Sequence, residues 1–124
     1  MMAMLAKATE SLEASRACLA QGYPNSAVSR AYYAMFQAAQ AAVAHVASRQ
    51  GPWSHKGMQA AVVNELIRRR KLCRPELARH LAEALALRGV ADYHARDVSP
   101  SQATQVLRWA TGFLVRVKEI VPRA

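Results

Sequence analysis

Apolar positions recur at helical spacing in five separate stretches of this chain, and no alternating apolar–polar run long enough for a strand lies between them. The first stretch, from about Ala3 to Gln21, lines up Leu5, Ala8, Leu12 and Leu19 and stops at Gly22-Tyr23-Pro24. The second has the strongest periodicity: Val28, Ala31, Tyr32, Met35, Phe36, Ala39, Val43 and Val46, running from an Asn25 N-cap to about Ala47. After a short loop containing Gly51-Pro52, a third helix is expected from near Ser54 to between Arg70 and Cys73, with Met58, Val62 and Leu66 in line. Pro75 suits the first turn of a fourth helix carrying Leu77, Leu81, Ala84, Leu85 and then Arg88. Gly89 is expected to weaken that helix and leave the segment through Asp97 irregular. Ser99, Pro100 and Gln102 spell a capping box for the fifth helix, with Ala103, Leu107, Ala110, Leu114, Val117 and Val121 inward and Pro122 as its stop. The pattern predicts an all-α fold, an up-and-down bundle of about five helices forming one domain over residues 1–124. Phe36, Trp109 and Phe113 fall on inner or subunit-facing surfaces of such a bundle.

Composition agrees with helices. Of 124 residues 26 are Ala, the best helix former, against five Gly and five Pro. A chain of this length buries roughly 68% of its unfolded surface, so a core forms without disulfide staples. Cys18 and Cys73 fit no metal or redox spacing and read as reduced thiols of a cytoplasmic protein. The N-terminus has no signal-peptide layout, because Lys7, Glu10 and Glu13 interrupt it. Residues 31–48 carry no formal charge, but Gln37, Gln40, His45 and Ser48 make them too polar to span a bilayer, so no membrane association is expected.

Charge changes the picture more. Seventeen Lys and Arg face eight Asp and Glu, a net charge of +9, and thirteen of the cations are Arg. Arg binds phosphate bidentately, so such a surface points to nucleic acid or nucleotides. The bland alternative is the codon bias of a GC-rich genome. The chain lacks a Gly-rich phosphate loop and the motifs of metalloproteases and serine hydrolases. His45, His55, His80 and His94 do not cluster at ligand spacing, and neither a metal site nor a cofactor is expected.

Three constellations could carry chemistry. Arg68-Arg69-Arg70-Lys71 with Arg74 could hold phosphates, or could be cations solvated at a helix C-terminus, where they complement the macrodipole. In Arg30-Ala31-Tyr32-Tyr33, Tyr32 lies on the apolar stripe with a satisfied hydroxyl expected, while Arg30, Tyr33, Gln37 and Gln40 share another face suited to an interface or to base stacking. In Arg88-Gly-Val-Ala-Asp92-Tyr93-His94, Arg88 continues an apolar line and so points toward protein, with Asp92 four residues on as its expected partner. The alternative is that Arg88 and His94 converge on a phosphate, which ideal helical geometry disfavours unless the helix ends between them.

The run Ser29-Arg30-Ala31-Tyr32-Tyr33-Ala34-Met35-Phe36-Gln37-Ala38-Ala39 resembles the signature of HEPN-domain proteins. Ser54-His55-Lys56-Gly57 and Leu87-Arg88-Gly-Val-Ala91-Asp92-Tyr93 resemble further motifs of that family, in order, and the likeness extends over about residues 5–121. The resemblance implies a helical bundle that forms a homodimer. It also implies a prokaryotic setting, often beside a minimal nucleotidyltransferase in a toxin–antitoxin pair. Many HEPN proteins are metal-independent ribonucleases using Arg-x(4–6)-His, and Arg88 and His94 satisfy that spacing. Here Gly89 stands where those nucleases usually carry a polar residue, and Ala95-Arg96 follows His94 where one toxin branch reads His-x-Tyr.

Three functions follow as expectations. The favoured one is a nucleotide- or nucleic-acid-binding module that partners a minimal nucleotidyltransferase, with Arg68, Arg69, Arg70, Lys71 and Arg74 on phosphate and Arg30, Tyr32, Tyr33, Asp92 and Tyr93 structural or at an interface. The second is a metal-independent endoribonuclease, with His94 as general acid or base and Arg88 stabilising the phosphorane. The third is a dimeric scaffold without catalysis.

Overall fold

A computed structural model describes residues 2–121, and Pro122, expected to end the last helix, lies outside them. The elements are α1 (Met2–Ala20), α2 (Pro24–Ala47), α3 (His55–Ala61), a π-helical continuation of α3 (Val62–Arg69), α4 (Pro75–Tyr93) and α5 (Pro100–Ile120). No strand occurs among the described residues, and the fold is the expected all-α bundle.

The turn after α1 forms because Gly22 takes φ +83°, a conformation open to glycine without a Cβ penalty. Tyr23 N–H then reaches the Cys18 carbonyl at 2.8 Å and Gly22 N–H reaches Leu19 at 3.1 Å, which satisfies two orphan carbonyls of the helix end. The N-cap of helix α2 falls two residues earlier than expected. Pro24 occupies its first turn and Tyr23 its N-cap with no side-chain hydrogen bond, so Asn25 is not the cap. Proline has no N–H to satisfy and a φ already set for a helix, which makes a polar cap dispensable. Asn25 is thereby free to serve a distant loop: its Oδ1 accepts from Val98 N–H at 2.9 Å and its Nδ2 donates to Asp97 at 3.1 Å.

Helix α2 is the centre of the bundle, packed against α1, α4 and α5. Its buried alanines at 27, 31, 34, 38, 39, 41 and 42 let neighbouring helix axes approach closely, while Val28, Tyr32, Met35 and Val43 fill the space between them. Ser15 on α1 donates to the Ala27 carbonyl at 2.7 Å, a hydrogen bond buried in that contact.

Ser54 caps α3, accepting from Gly57 N–H at 2.9 Å. Beyond Ala61 the helix widens to π geometry, which its apolar spacing did not announce. Wider turns bring residue i+5 beside residue i. Glu65, only 6% exposed, accordingly meets both Arg69 at 3.3 Å and Arg70, five residues on. The stretch closes where the Leu66 carbonyl accepts from both Leu72 N–H (2.7 Å) and Cys73 N–H (3.1 Å), with Lys71 between them at φ +53°.

Helix α4 does not weaken at Gly89; it runs through to Tyr93. The intrinsic cost of glycine, about 1 kcal/mol, is outweighed by burial of Val90 and by ties from Arg88 across the last turn. The irregular segment is confined to residues 94–99. The capping box of α5 is present, with Ser99 Oγ accepting from Gln102 N–H and Gln102 Oε1 accepting from Ser99 N–H, both at 3.0 Å. Its inward stripe is Ala103, Val106, Ala110, Phe113, Leu114 and Val117; Val106 takes the core position expected for Leu107, which is half-buried. Phe113 is core, whereas Phe36 and Trp109 are half-buried.

Candidate functional site

Arg88 is the hub of the richest polar cluster. It sits one turn before the end of α4, where α2 passes beneath it, and its side chain is 13% exposed. Its Nε donates to Asp92 Oδ2 at 3.1 Å and a terminal nitrogen donates to Tyr93 Oη at 3.1 Å. Its guanidinium carbon lies 5.2 Å from the centre of the Tyr33 ring and 5.3 Å from that of Tyr93, within cation–π range of both. Asp92 also accepts from Ser29 Oγ at 3.2 Å, which joins the end of α4 to α2. The expected Arg88–Asp92 bridge therefore exists, but the Asp92 side chain is 30% exposed, so the pair is not sealed from water.

The residues Arg30 to Phe36 furnish the floor. Tyr32 is fully buried and its hydroxyl is satisfied as expected, here by His55 Nδ1 at 2.6 Å. Tyr33 packs edge-on against Tyr32 and Phe36, and the exposed Arg30 lies 5.1 Å over its ring. Phe36 completes the group, 5.3 Å from the His55 ring. Gln37 turns instead toward α1, its amide 2.7 Å from the Ser11 hydroxyl, so the proposed polar face of Arg30, Tyr33, Gln37 and Gln40 is divided between two environments.

Protonation follows from these surroundings. Burial, then the neighbouring Tyr33, pushes the Tyr32 phenol above its ordinary value, so it stays protonated. Burial, then the Arg88 charge, holds the His55 imidazole below its ordinary value, so it is neutral at pH 7. A neutral imidazole and a protonated phenol fix the bond: Tyr32 O–H donates and His55 Nδ1 accepts. The histidine that Arg88 senses is thus His55. The sequence marks it as a histidine outside any ligand cluster and within Ser54-His55-Lys56-Gly57; its signal as a site residue was its place at the start of α3, directly after the Ser54 cap.

His94 lies elsewhere. It is the C-cap of α4 in extended conformation, exposed, and among the described residues its side chain makes no hydrogen bond, ion pair or ring contact. The helix persists through Tyr93, so no helix end falls between Arg88 and His94.

The basic run is also divided. Arg69 and Arg70 are engaged by Glu65; Arg68, Lys71 and Arg74 are exposed, Arg74 with Glu76 3.8 Å away. Among the described residues no group of three or more His, Cys, Asp or Glu side chains could hold a metal ion, and no helix is long and apolar enough to cross a membrane.

An alanine-rich bundle centred on a Tyr-Tyr helix, with an arginine tied to Asp92 and Tyr93 at the end of α4 and packed over Tyr33 of that helix, defines a class of small helical domain. The family model described as HEPN domain matches residues 1–120, and the chain belongs to that family. A search of curated proteins finds no match.

Proposed function

We propose that this HEPN chain is a binding module for nucleotides or nucleic acid, working as a cytoplasmic homodimer beside a minimal nucleotidyltransferase in a toxin–antitoxin-like pair, and not a ribonuclease built on Arg88 and His94. The observation that carries this reading is the engagement of Arg88. Its guanidinium is held by Asp92 and Tyr93 and flanked by Tyr33, so its charge is offset within the fold. His94, the general acid or base of the rival reading, is the extended C-cap of α4 and is not among the side chains that hold Arg88. Polyanion affinity would come from the net charge of +9 and from exposed cations such as Arg68, Lys71 and Arg74.

The test is a pair of measurements on the intact protein. Binding of a short labelled RNA should weaken steeply from low to moderate salt, as expected when several phosphates are neutralised. Incubation of that RNA in EDTA should leave it uncut, in wild type and in His94→Ala alike. Cleavage in EDTA that yields cyclic phosphate ends and disappears in His94→Ala would establish the ribonuclease instead.

A further inference from the structure

At the opposite end of α4 from Arg88, a groove of about 580 Å³ opens between the start of α4 and the second half of α5. That is within the range of sites that hold one small molecule, roughly 300–1,000 Å³. Its character is set by two kinds of side chain. Lys71, Arg74, Arg108 and Arg116 line it against a single carboxylate, Glu119. In its wall His80 of α4 lies flat on Trp109 of α5, ring centres 4.5 Å apart and planes 8° from parallel.

Each part has a physical reading. Arg116 is fixed in place, its Nε donating to the Leu72 carbonyl at 2.7 Å and a terminal nitrogen to Glu119 at 3.2 Å. Arg108 is exposed and, among the described residues, makes no hydrogen bond or ion pair, so its five N–H groups are available. Lys71 is held in a left-handed conformation at φ +53°, an arrangement non-glycine residues avoid and which concentrates at functional positions. Burial, then Arg79, keeps the His80 imidazole below its ordinary value, so the His80–Trp109 pair is a neutral aromatic platform at pH 7. Gly112, one turn after Trp109, lines the groove, and a Cβ there would meet no atom within 4 Å, so the missing side chain is part of what keeps the groove open.

We propose that this groove binds a nucleobase next to a phosphate, the base stacking on the His80–Trp109 platform and the phosphate held by Arg108, Arg74 and Lys71. The proposal rests on the reading of the chain as a nucleotide or nucleic-acid binder and assigns that binding to one place. A flat aromatic pair recognises the π-face common to all bases, and guanidinium groups, the unpaired Arg108 first among them, recognise phosphate oxygens. A bare anion would use the cations and leave the platform idle; an uncharged aromatic would do the reverse. The same base–phosphate unit occurs in a free mononucleotide and in single-stranded RNA.

The experiment reads Trp109 fluorescence in a Trp53→Phe protein, where it is the only tryptophan left. Titrants are AMP, a single-stranded hexa-adenylate, and ribose 5-phosphate. Quenching is expected with AMP or the hexanucleotide and not with ribose 5-phosphate. AMP acting alone identifies a free nucleotide as the ligand, and quenching by the hexanucleotide only identifies an RNA strand. Gly112→Leu fills the groove without altering net charge, and Arg108→Ala removes an exposed cation that supports nothing else. Each should weaken binding about tenfold or more, the size of one stacking or charge-assisted contact. The assignment is overturned if the hexanucleotide binds by anisotropy with Trp109 silent, or if both variants bind like their parent; polyanion binding itself then stands. If neither AMP nor the hexanucleotide binds by either readout, the assignment and the broader reading fall together.

Discussion

The Tyr32 hydroxyl and His55 Nδ1 stand 2.6 Å apart, although 23 residues separate them in sequence. This bond ties the middle of α2 to the first residue of α3 and lets a fully buried phenol keep a partner. Tyr32→Phe should cost about 1 kcal/mol, the ordinary net value of such a bond, with the helical content unchanged. Urea denaturation followed by circular dichroism measures it; a loss indistinguishable from zero would show that the bond contributes nothing.

The same surroundings make stability depend on pH. Burial and Arg88 disfavour the charged form of His55, and burial, then Arg79, disfavours that of His80. A histidine whose folded pKa is depressed takes up its proton first in the unfolded chain, so the unfolded state binds more protons. Stability is then full above the ordinary imidazole value near 6.5 and falls as pH drops through it. The urea midpoint should decline from about pH 7 to about pH 5, the interval in which histidine titrates, and less so in His55→Gln. A midpoint that stays constant, or rises toward acid, contradicts the burial argument.

Arg88 and Asp92 form a half-buried pair, the side chains 13% and 30% exposed. Exposed pairs contribute at most about 1 kcal/mol, and breaking buried ones costs about 3–5 kcal/mol. Arg88→Ala should fall between, at about 1–2 kcal/mol, because water and Ser29 can still solvate Asp92. Arg88→Lys should recover little of this, since an ammonium cannot reach Asp92 and Tyr93 together with a planar fork. Thermal denaturation of both variants is the check.

Glu65 makes the basic run uneven in its response to mutation. With Glu65 6% exposed and left with only the exposed Arg69 as partner, Arg70→Ala should cost about 1–3 kcal/mol, while the exposed Arg68→Ala should change stability by less than about 0.5 kcal/mol. Glu65→Gln combined with Arg70→Ala should recover much of the loss. Equal effects of the two single arginine variants would show that the cluster is uniformly solvated.

Asn25→Ala should destabilise by about 1–2 kcal/mol by leaving the Val98 N–H without its acceptor. Val98 itself is 1% exposed, so water has little access to replace the bond. Hydrogen exchange at Val98 should accelerate in the same variant, which localises the effect to the loop before α5.

The order and type of the helices could be read from the chain because they depend on short-range facts: apolar spacing, Pro and Gly at helix ends, and the Ser99–Gln102 capping box. The Arg88–Asp92 bridge was legible for the same reason, being four residues apart on one helix. What the tertiary structure decided were pairings across elements, which leave no local trace. Asn25 looks like an N-cap in sequence and becomes the acceptor for Val98 only because α2 and the loop before α5 meet. Gly89 looks like a helix end, yet the helix continues because Val90 is buried and Arg88 ties down the last turn. The His55–Tyr32 bond and the His80–Trp109 platform each join residues according to where helices end and cross. Periodicity determines which face of a helix is apolar, but it carries no information about which distant side chain will stand opposite a polar one, because that depends on helix lengths and crossing angles set by packing the whole core at once.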